Sequence, residues 1–395
     1  MRILHIVASI RPESGGLRTV SLGLAQGQCT LGHEATIWCL DSPAEAAESA
    51  SAWGFEGQLV SSAVLGPSMV GYSPVAERRA GSDAGRHYDV LHQHRIWMAN
   101  SRVTNRWRAT FGRPTVIAPH GTLEAYGLKR SAWKKRLARL WYERKNLRLA
   151  SCLHASSKAE AISFRNFGLR NPIAIIPNGI TDAQLHAAGE GARFRARYSI
   201  PPDKRLLLFI SRLHPKKGLS LLFEAMALIR EQLTNWHLVV AGSDEMGHRR
   251  ELELLSERIG IRDLIQFTGP LFGSEKQDAF AATDVFVLPT HSEGFAIIVA
   301  EALGAGVPVL TTRGAPWEEL RNHRCGWWVD VSTSAIQDAL LDAIQRPRSE
   351  LVQMGQRGKT LVAQKYTWSQ VAGKSLMLYE WLLGLGERPD FVVTD

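Results

Sequence analysis

Two glutamates in the second half of the chain have the spacing to bind a ligand rich in hydroxyls. Glu293 and Glu301 are separated by seven residues, and Gly294 follows the first of them. An apolar run at residues 285–289 predicts a buried parallel strand ahead of Glu293, and residues 296–303 predict a buried helix. Glu301 then lies two helical turns beyond Gly294 on the same face.

This arrangement would place both carboxylates near one edge of a sheet. In open α/β sheets ligands bind at the carboxyl ends of the strands, so Glu293 should stand at the mouth of a crevice. The amides of Gly294, Phe295 and Ala296 would point into the same crevice, where they suit an anion. A nucleotide sugar offers both hydroxyls and a diphosphate. The alternative remains open that Glu293 caps the helix and Glu301 is a partly buried surface residue.

A basic pair occurs at a corresponding position earlier in the chain. Arg212 and Lys217 fall between a predicted strand at residues 205–210 and a predicted helix at 219–232. Arginine can bind two phosphate oxygens in a fork, and lysine supplies a point charge. The pair therefore indicates a phosphate site at the carboxyl edge of this sheet, although two isolated charges are also typical of an ordinary surface.

The N-terminus begins with a strand–loop–helix–strand pattern. Residues 3–8 and 35–40 predict strands, residues 17–31 predict a helix, and the intervening loop contains Gly15 and Gly16. The loop lacks the G-x-G-x-x-G spacing, which argues against a nicotinamide site. A glycine pair before a helix still permits the close approach of a phosphate, and the alternative is a plain tight turn.

Three histidines in the N-terminal half of the chain lie at or just after the ends of predicted strands. His92 and His94 close a strand at residues 88–92, and we expect them to line a cleft or to sit at the strand end. They lack an accompanying acidic or cysteine ligand, so we do not expect a metal there. His120 follows a strand that begins near residue 114. Its place at a carboxyl edge favours a functional role.

Taken together, these motifs resemble the donor-site signature of the retaining glycosyltransferases of family 4. The resemblance is carried by Glu293-Gly-Phe, Glu301-Ala-Leu and Gly306-Val-Pro-Val, and it extends from the Gly15-Gly16 loop to the C-terminal helices. It implies the α/β GT-B fold, in which two Rossmann-like parallel-sheet domains face each other across a cleft and the last helix crosses back to the first domain. Ala296 departs from the family pattern, where many members have glycine or proline.

The resemblance also implies domain bounds and residue roles. Residues 1–185 would form the acceptor-binding domain, 186–367 the nucleotide-sugar-binding domain, and 368–395 the returning helix. His120 would lie beside the transferred sugar, Glu293 would hold sugar hydroxyls, and Glu301 the ribose. The predicted site has His120 and Glu293 as catalytic residues, and its donor-binding residues are Gly15, Gly16, Arg212, Lys217, Gly242, Leu271, Glu293, Gly294, Phe295, Ala296 and Glu301.

The expected chemistry needs no metal and no cofactor besides the UDP- or GDP-sugar donor. The sequence has no D-x-D pair of the kind that holds a metal on a diphosphate, so Arg212, Lys217 and the helix start at Gly294 would stabilise the leaving group. The family resemblance implies retention at the anomeric carbon. Because no carboxylate nucleophile can be identified for a double displacement, we favour front-face attack by a saccharide hydroxyl.

Composition predicts a cytoplasmic protein of two domains with an anionic partner. The chain has 395 residues, a formal net charge of +9 and a pI of about 9.5. Its four cysteines are scattered, no apolar stretch is long enough to span a bilayer, and the N-terminus does not have the pattern of a secretion signal.

The positive charge is concentrated at residues 129–148. This segment has nine basic residues against Glu143, and its apolar residues recur at helical spacing: Trp133, Leu137, Leu140, Trp141 and Leu147. One interpretation is a helix that lies on an anionic membrane, with a lipid-linked acceptor in exopolysaccharide or lipopolysaccharide synthesis and a peripheral location on the inner face of the plasma membrane. The other is a solvated basic face over a buried stripe. Nucleic acid is not expected, because no nucleic-acid fold motif is present.

Two other classes share parts of this pattern. A nucleotide-sugar epimerase has the same two-domain architecture, and turnover of the donor without an acceptor would distinguish it. A non-catalytic sugar-nucleotide-binding protein is the other alternative. The combination of the basic pair, the two glutamates and His120 argues against it.

Overall fold

The computed structural model describes residues 1–124 and 132–394, with the side chains of Ala132 and Lys134 excepted. The chain forms two compact units. Unit 1 comprises Met1–Gly179 and the C-terminal segment that begins at Trp368, and unit 2 comprises Ile180–Thr367. The division between Gly179 and Ile180 falls six residues before the predicted one.

Unit 1 is built on an eight-stranded sheet. With strands numbered in chain order, these are β1 Arg2–Ile6, β2 Glu34–Cys39, β3 Gln58–Ser61, β4 Val90–His94, β5 Thr115–Ala118, β6 Cys152–Ala155, β7 Ile173–Ile175 and β14 Val392–Val393. The spatial order is β14-β7-β6-β5-β4-β1-β2-β3, and every pairing is parallel except that of β14 with β7. The order of the first six strands is that of a doubly wound Rossmann-like sheet.

The helices of unit 1 connect these strands. They are α1 Gly16–Thr30, α2 Pro43–Trp53, α3 Pro74–Ala80, α4 Asp83–Arg86, α5 Asn100–Phe111, α6 Ala132–Ala138, α7 Arg144–Arg148, α8 Lys158–Asn166 and α18 Trp368–Leu382. A π-helical turn, Arg139–Glu143, joins α6 to α7. The described part of the basic segment is therefore helical with a π turn inside it, and Lys129 and Arg130 lie outside the described residues.

Unit 2 contains a six-stranded, wholly parallel sheet. Its strands are β8 Arg205–Ile210, β9 Trp236–Ala241, β10 Ile265–Gly269, β11 Val285–Leu288, β12 Val309–Thr312 and β13 Gly326–Val329. They follow the order β10-β9-β8-β11-β12-β13, so the strand order reverses between β8 and β11. Both of these strands are almost entirely apolar and buried, which is typical of a sheet covered by helices on its two faces.

Helices cover this second sheet. They are α9 Asp182–His186, α10 Gly191–Arg197, α11 Leu219–Leu228, α12 His248–Arg258, α13 Gly273–Ala282, α14 Ile297–Gly304, α15 Glu319–Asn322, α16 Thr333–Gln345 and α17 Arg348–Lys365. Short 3-10 turns at Pro215–Lys217, Arg230–Leu233 and Arg262–Leu264 complete the connections, and another precedes α1 at Pro12–Ser14.

The C-terminal helix α18 packs closely against α1. A Cβ atom at Gly23 would lie 2.1 Å from the indole of Trp368, and one at Gly27 would lie 2.6 Å from the carbonyl oxygen of Trp368. The two glycines therefore let the helices approach at distances that larger residues would prevent. This contact ties the end of the chain to the first helix of unit 1.

Residues 41–86, for which the sequence predicted no elements, contain α2, β3, α3 and α4. Helix α2 begins with a capping box, in which Ser42 and Glu45 bond to each other's backbone amides. None of the helices that the structure describes is long and apolar enough to span a bilayer.

Candidate active site

The loops after β8 and β11 meet at the point where the strand order of unit 2 reverses. Lys217 ends the 3-10 turn after β8, and Gly218, with a φ of +71°, is the N-cap of α11. A Cβ at Gly218 would lie 2.0 Å from the carbonyl oxygen of Pro289, so glycine is required where the two loops touch. The amide of His291 also donates to the carbonyl of Lys216 at 2.9 Å. In doubly wound sheets such a switch point is where ligands bind.

The structure brings Lys217 and Glu293 together at this point. Lys217 Nζ lies 2.5 Å from Glu293 Oε1, and the two side chains are only 11% and 14% exposed. The amide of Glu293 donates to the carbonyl of Gly314 at 2.7 Å, which holds the loop in place. Shielding from water strengthens this ion pair relative to one at the surface. The basic group of the first loop thus already faces a carboxylate of the second.

Arg212 lies at the same sheet edge but in a different environment. Its guanidinium donates to Glu245 at 2.6 Å, and its side chain is 61% exposed. The amide of Glu245 donates to the carbonyl of Leu213, so the acidic residue is positioned by the backbone. Such an exposed pair contributes little to stability, which leaves Arg212 able to change partners.

Glu301 is held by two residues that the sequence analysis missed. Lys276 Nζ lies 2.8 Å from Glu301 Oε2, and Gln184 Nε2 donates to Oε1 at 2.9 Å. Gln184 also forms a capping box with Thr181 at the start of α9. That box has a sequence signature, T-x-x-Q, but it predicts a helix start and not a contact with Glu301. Lys276 lies in α13, a helix of mixed composition, and no sequence pattern marked it as a site residue.

The helix after the glutamate loop begins one residue later than predicted. Ala296 is its N-cap in the left-handed region, with φ 64° and ψ 68°. The carbonyl of Phe295 accepts a hydrogen bond from Trp317 Nε1 at 2.6 Å, and the ring of Phe295 is buried. Gly294, Phe295 and Ala296 therefore form the approach to α14 and not its first turn. An alanine in this conformation is strained, because its Cβ crowds the following backbone.

Two more of the predicted donor-binding residues, Gly242 and Leu271, lie after β9 and β10 of unit 2. Gly242 follows β9, and a Cβ there would lie 1.8 Å from the carbonyl oxygen of Ser211, so the loop after β8 passes directly over it. Its amide donates to the carbonyl of Gly269 at 2.9 Å. Leu271 is a buried core residue, which leaves only its backbone for a ligand.

In unit 1 the glycine pair stands at the start of α1. Gly15 is the N-cap, with φ 55° and ψ −125°, a conformation that only glycine adopts readily. A Cβ at Gly15 or Gly16 would meet no described atom within 4 Å. The loop is therefore open on the side of these two residues, which leaves room for the close approach of a phosphate.

His120 follows β5 in a strained turn. It has a φ of 53°, and Gly121 has a φ of 71°. The amide of Gly121 donates to Glu160 Oε1 at 2.6 Å, and the amide and hydroxyl of Ser156 donate to Oε2. Burial raises the pKa of the Glu160 carboxyl. This buried carboxylate, which the sequence analysis missed, holds the His120 loop against the end of β6.

His94 is the last residue of β4 and His92 lies two residues before it, so the alternative of a place at the strand end is met, although neither side chain is exposed. Both are fully buried within β4, and their ring nitrogens lie within 4.8 Å of those of His5 on the neighbouring strand. The strand register pairs His5 with His92 directly. Both histidines point to the same side because side chains two residues apart share a face of a strand. His94 Nδ1 lies 3.1 Å from Nε2 of His120.

Comparisons with known proteins agree with this geometry. Residues 15–179 match the family model described as a glycosyl transferase 4-like domain, and residues 192–361 match that of the glycosyl transferases group 1. The D-inositol 3-phosphate glycosyltransferase of Streptomyces scabiei is 27% identical over 77% of this chain and 70% of its own. The GDP-mannose:cellobiosyl-diphosphopolyprenol alpha-mannosyltransferase of Komagataeibacter xylinus is 25% identical over 97% and 94%.

Solved structures show the same fold. Anabaena Alr3699/HepE, solved in complex with UDP-glucose, superposes with a TM-score of 0.73 at 19% identity, covering 95% of this chain and 99% of its own. Two Rossmann-like parallel-sheet units with this match define a GT-B protein, and the class is that of enzymes that use nucleotide sugars. The chain belongs to the family-4 type of glycosyltransferases, as the resemblance of its motifs indicated.

Proposed function

We propose that this glycosyltransferase moves a hexose from a UDP- or GDP-sugar, with retention of the anomeric configuration, to a lipid-linked saccharide in exopolysaccharide or lipopolysaccharide synthesis. The observation that carries the donor half is the Lys217–Glu293 pair at the switch point of unit 2. A buried cation and a carboxylate side by side suit a ligand that joins a diphosphate to a hydroxyl-bearing sugar.

When the donor binds, Lys217 and Glu293 would each give up the other as partner and bind a group of the donor instead. The diphosphate would take the ammonium of Lys217 and the guanidinium of Arg212, which now face Glu293 and Glu245. Glu293 would then be released to accept hydrogen bonds from sugar hydroxyls. Glu301, held by Lys276 and Gln184, retains lone pairs for the ribose.

The leaving group would depart without a metal. The two cations of the first loop stabilise the negative charge that develops on the diphosphate as the bond to the anomeric carbon breaks. The acceptor hydroxyl attacks from the same face, and the departing phosphate helps to remove its proton. His120, on its strained turn, binds the sugar or shapes this face. No cofactor besides the donor is required.

The acceptor is inferred from a relative and from the surface of unit 1. The Komagataeibacter enzyme, which matches almost the whole chain, is named for a cellobiosyl-diphosphopolyprenol acceptor. That printed acceptor combines a saccharide with a diphosphate and a lipid. A polyprenyl-diphosphate saccharide is therefore the acceptor class that we propose here.

The basic segment supports a membrane-bound acceptor. Four apolar side chains stand out into solvent and do not form a buried stripe: Trp133, Leu137, Leu140 and Trp141 are 66%, 49%, 69% and 80% exposed. The exposed Arg136 and Arg139 lie among them. Of the apolar residues in the pattern, Leu147 is buried. Exposed tryptophans amid basic residues are typical of a helix at the lipid headgroup level.

Glu143 explains how this segment is attached to unit 1. Its carboxylate is fully buried and accepts hydrogen bonds from the amide of Trp97, the hydroxyl of Ser101 and the amide group of Asn146. Burial raises the pKa of this carboxyl. The only acid of the segment therefore faces inward, whereas the exposed side chains Trp133, Arg136, Leu137, Arg139, Leu140 and Trp141 lie on the outer side.

The experiment is a transfer assay with defined donors and acceptors. UDP-glucose, UDP-galactose and GDP-mannose are each incubated with a polyprenyl-diphosphate disaccharide in anionic vesicles, with and without EDTA. We expect one donor to give an extended saccharide whose new bond has the donor's α configuration by NMR, with the same rate in EDTA. An inverted product, or turnover of the donor without acceptor, would contradict the proposal. Loss of activity in EDTA that Mn²⁺ restores would contradict its metal-free mechanism.

A further inference from the structure

A hydrogen-bonded chain of buried side chains connects His120 to the C-terminal helix. The donor and the acceptor of each hydrogen bond can be assigned by starting from the bond nearest α18. The hydroxyl of Ser375 lies 2.7 Å from the carbonyl oxygen of Ala372, which can only accept, so the hydroxyl proton is directed there. Ser375 Oγ therefore accepts from Gln28, whose Nε2 is 2.9 Å away. This assigns the amide of Gln28, and its Oε1 faces His5.

The chain then runs to His120 through two more rings. Gln28 Oε1 accepts from His5 Nε2 at 2.8 Å, so the proton of His5 is on Nε2. His5 Nδ1 must then accept from His94 Nε2 at 2.9 Å. His94 Nδ1, left with a lone pair, accepts from His120 Nε2 at 3.1 Å. Each ring is fixed by the one before it, because a neutral imidazole has one donor and one acceptor.

A second branch gives the same answer independently. The carbonyl of Ile176 accepts from His154 Nε2 at 2.8 Å, so His154 Nδ1 accepts from His92 Nε2 at 3.3 Å. His92 Nδ1 then accepts from the hydroxyl of Tyr379 at 2.7 Å. The oxygen of Tyr379 in turn accepts from Gln28 Nε2 at 3.3 Å, which requires the amide orientation found from Ser375.

All five rings are neutral, as this assignment requires. Burial lowers the pKa of His5 and His154 to about 4 and that of His120 to about 3, and it lowers those of His92 and His94 well below the usual range. The assignment also uses the lone pairs of His5, His92, His94 and His154 in hydrogen bonds.

We infer that Gln28 is a positioning residue for His120. Through His5 and His94 it sets the Nε2–H tautomer of His120, so that Nδ1, which makes no hydrogen bond to a described residue, presents a lone pair. That lone pair can accept from a hydroxyl of a bound sugar. The tautomer follows from the hydrogen bonds alone, whereas its effect on turnover rests on the role proposed for His120.

The direct test is two-bond proton–nitrogen NMR of the full-length protein with ¹⁵N-labelled histidine at about pH 7. The His120 signals are identified by their loss in His120→Gln. We expect the chemical shift of His120 Nε2 to be that of a protonated nitrogen and the chemical shift of Nδ1 to be that of an unprotonated one. A protonated Nδ1, or a doubly protonated ring, would overturn the inference whatever the enzyme's activity.

Variants on the two branches distinguish a specific effect on the His120 tautomer from a general disturbance of the buried side chains. Gln28→Leu removes the acceptor for His5, and we expect averaged nitrogen shifts for His120. We also expect kcat/KM for the donor to fall roughly two- to tenfold, because the competent tautomer is only partly populated. Tyr379→Phe removes the hydrogen bonds of the Tyr379 hydroxyl with His92 and Gln28. Because Ser375 still orients the amide of Gln28, this variant should leave the His120 shifts as in the wild type. Unchanged His120 shifts in Gln28→Leu, or equal changes in both variants, would overturn the inference.

Discussion

Lys217 and Glu293 form an ion pair of 2.5 Å between the two loops of the switch point. Removing either partner leaves a largely buried charge without its counterion, which is more costly than losing an exposed pair. The pair therefore contributes both to the stability of the site and to donor binding, and these two effects can be separated.

A double-mutant cycle measures the contribution of the pair to stability apart from its contribution to donor binding. We expect Lys217→Met and Glu293→Gln each to lower the free energy of unfolding of unit 2 by about 1–3 kcal/mol, and the double variant to be less destabilised than the sum. Chemical unfolding measures the cycle. Arg230 and Asp263, an exposed pair at 2.8 Å in the same unit, supply the matched control with little coupling. Strict additivity at Lys217 and Glu293 would show that the pair is not coupled in solution.

Four buried histidines and the partly buried His120 predict how stability depends on pH. Their folded pKa values lie below the ordinary value of about 6.5, to about 4 for His5 and His154 and about 3 for His120. Below about pH 6.5 the unfolded chain therefore binds protons that the folded chain excludes, so the free energy of unfolding falls as the pH falls. Glu143 and Glu160, whose pKa burial raises, act in the opposite sense.

Five histidines outweigh these two carboxyls, so we expect unit 1 to lose stability between about pH 6.5 and about pH 4. His154→Gln should reduce the slope by up to about 1.4 kcal/mol per pH unit, which is the effect of one proton. His87→Gln, at an exposed position, is the control and should leave the slope unchanged. Calorimetry across this pH range measures it, and a flat profile in the wild-type protein would contradict the buried neutral cluster.

The strained N-cap of α14 predicts a stabilising substitution. Ala296 has a φ of 64°, which glycine adopts without a Cβ penalty. We expect Ala296→Gly to raise the free energy of unfolding by about 0.5–1 kcal/mol. Ala305→Gly, at a residue with a φ of −77° just after the same helix, is the control and should not stabilise. Destabilisation by Ala296→Gly would show that the left-handed conformation is not held in solution.

The exposed apolar and basic groups of residues 132–148 predict binding to anionic vesicles. We expect the protein to sediment with vesicles that contain phosphatidylglycerol but not with neutral ones, and salt should weaken this binding. Trp133→Ala with Trp141→Ala, or Lys135→Glu with Arg136→Glu, should abolish it. Arg250→Glu with Arg258→Glu changes the same charge on an exposed face of unit 2 and should have little effect. If the control pair weakened vesicle binding equally, the interaction would depend on net charge alone and not on this segment.

Much of the architecture was predictable because parallel strands covered on both faces appear as short apolar runs. The bounds of β8 agree with the prediction, and α14 begins one residue late. Residues 41–86 gave weak patterns, because α2 is alanine- and serine-rich and β3 is an edge strand that is only partly buried. The contacts of Glu301 with Lys276 and Gln184 were not predictable, since they join side chains far apart in sequence.

The histidines of β4 show where sequence reasoning reaches its limit. A histidine at a strand end suggests a ligand, but His92 and His94 are each satisfied by partners on other elements. Those partners, Tyr379 and His120, lie 287 and 26 residues away along the chain. Only the packing of α18 against α1 brings Tyr379 into this cluster.

The most direct test of the account is the affinity of the protein for UDP and GDP by titration calorimetry, with Arg212→Ala compared with Arg230→Ala. Both arginines are exposed and paired with a carboxylate, so their removal should change stability little. The account predicts that Arg212→Ala weakens binding of the preferred nucleotide by about 1.5–3 kcal/mol, the loss of a charge-assisted bond to the diphosphate, while Arg230→Ala binds as the wild type. Equal affinity of all three proteins would contradict the assignment of the switch point of unit 2 as the donor site.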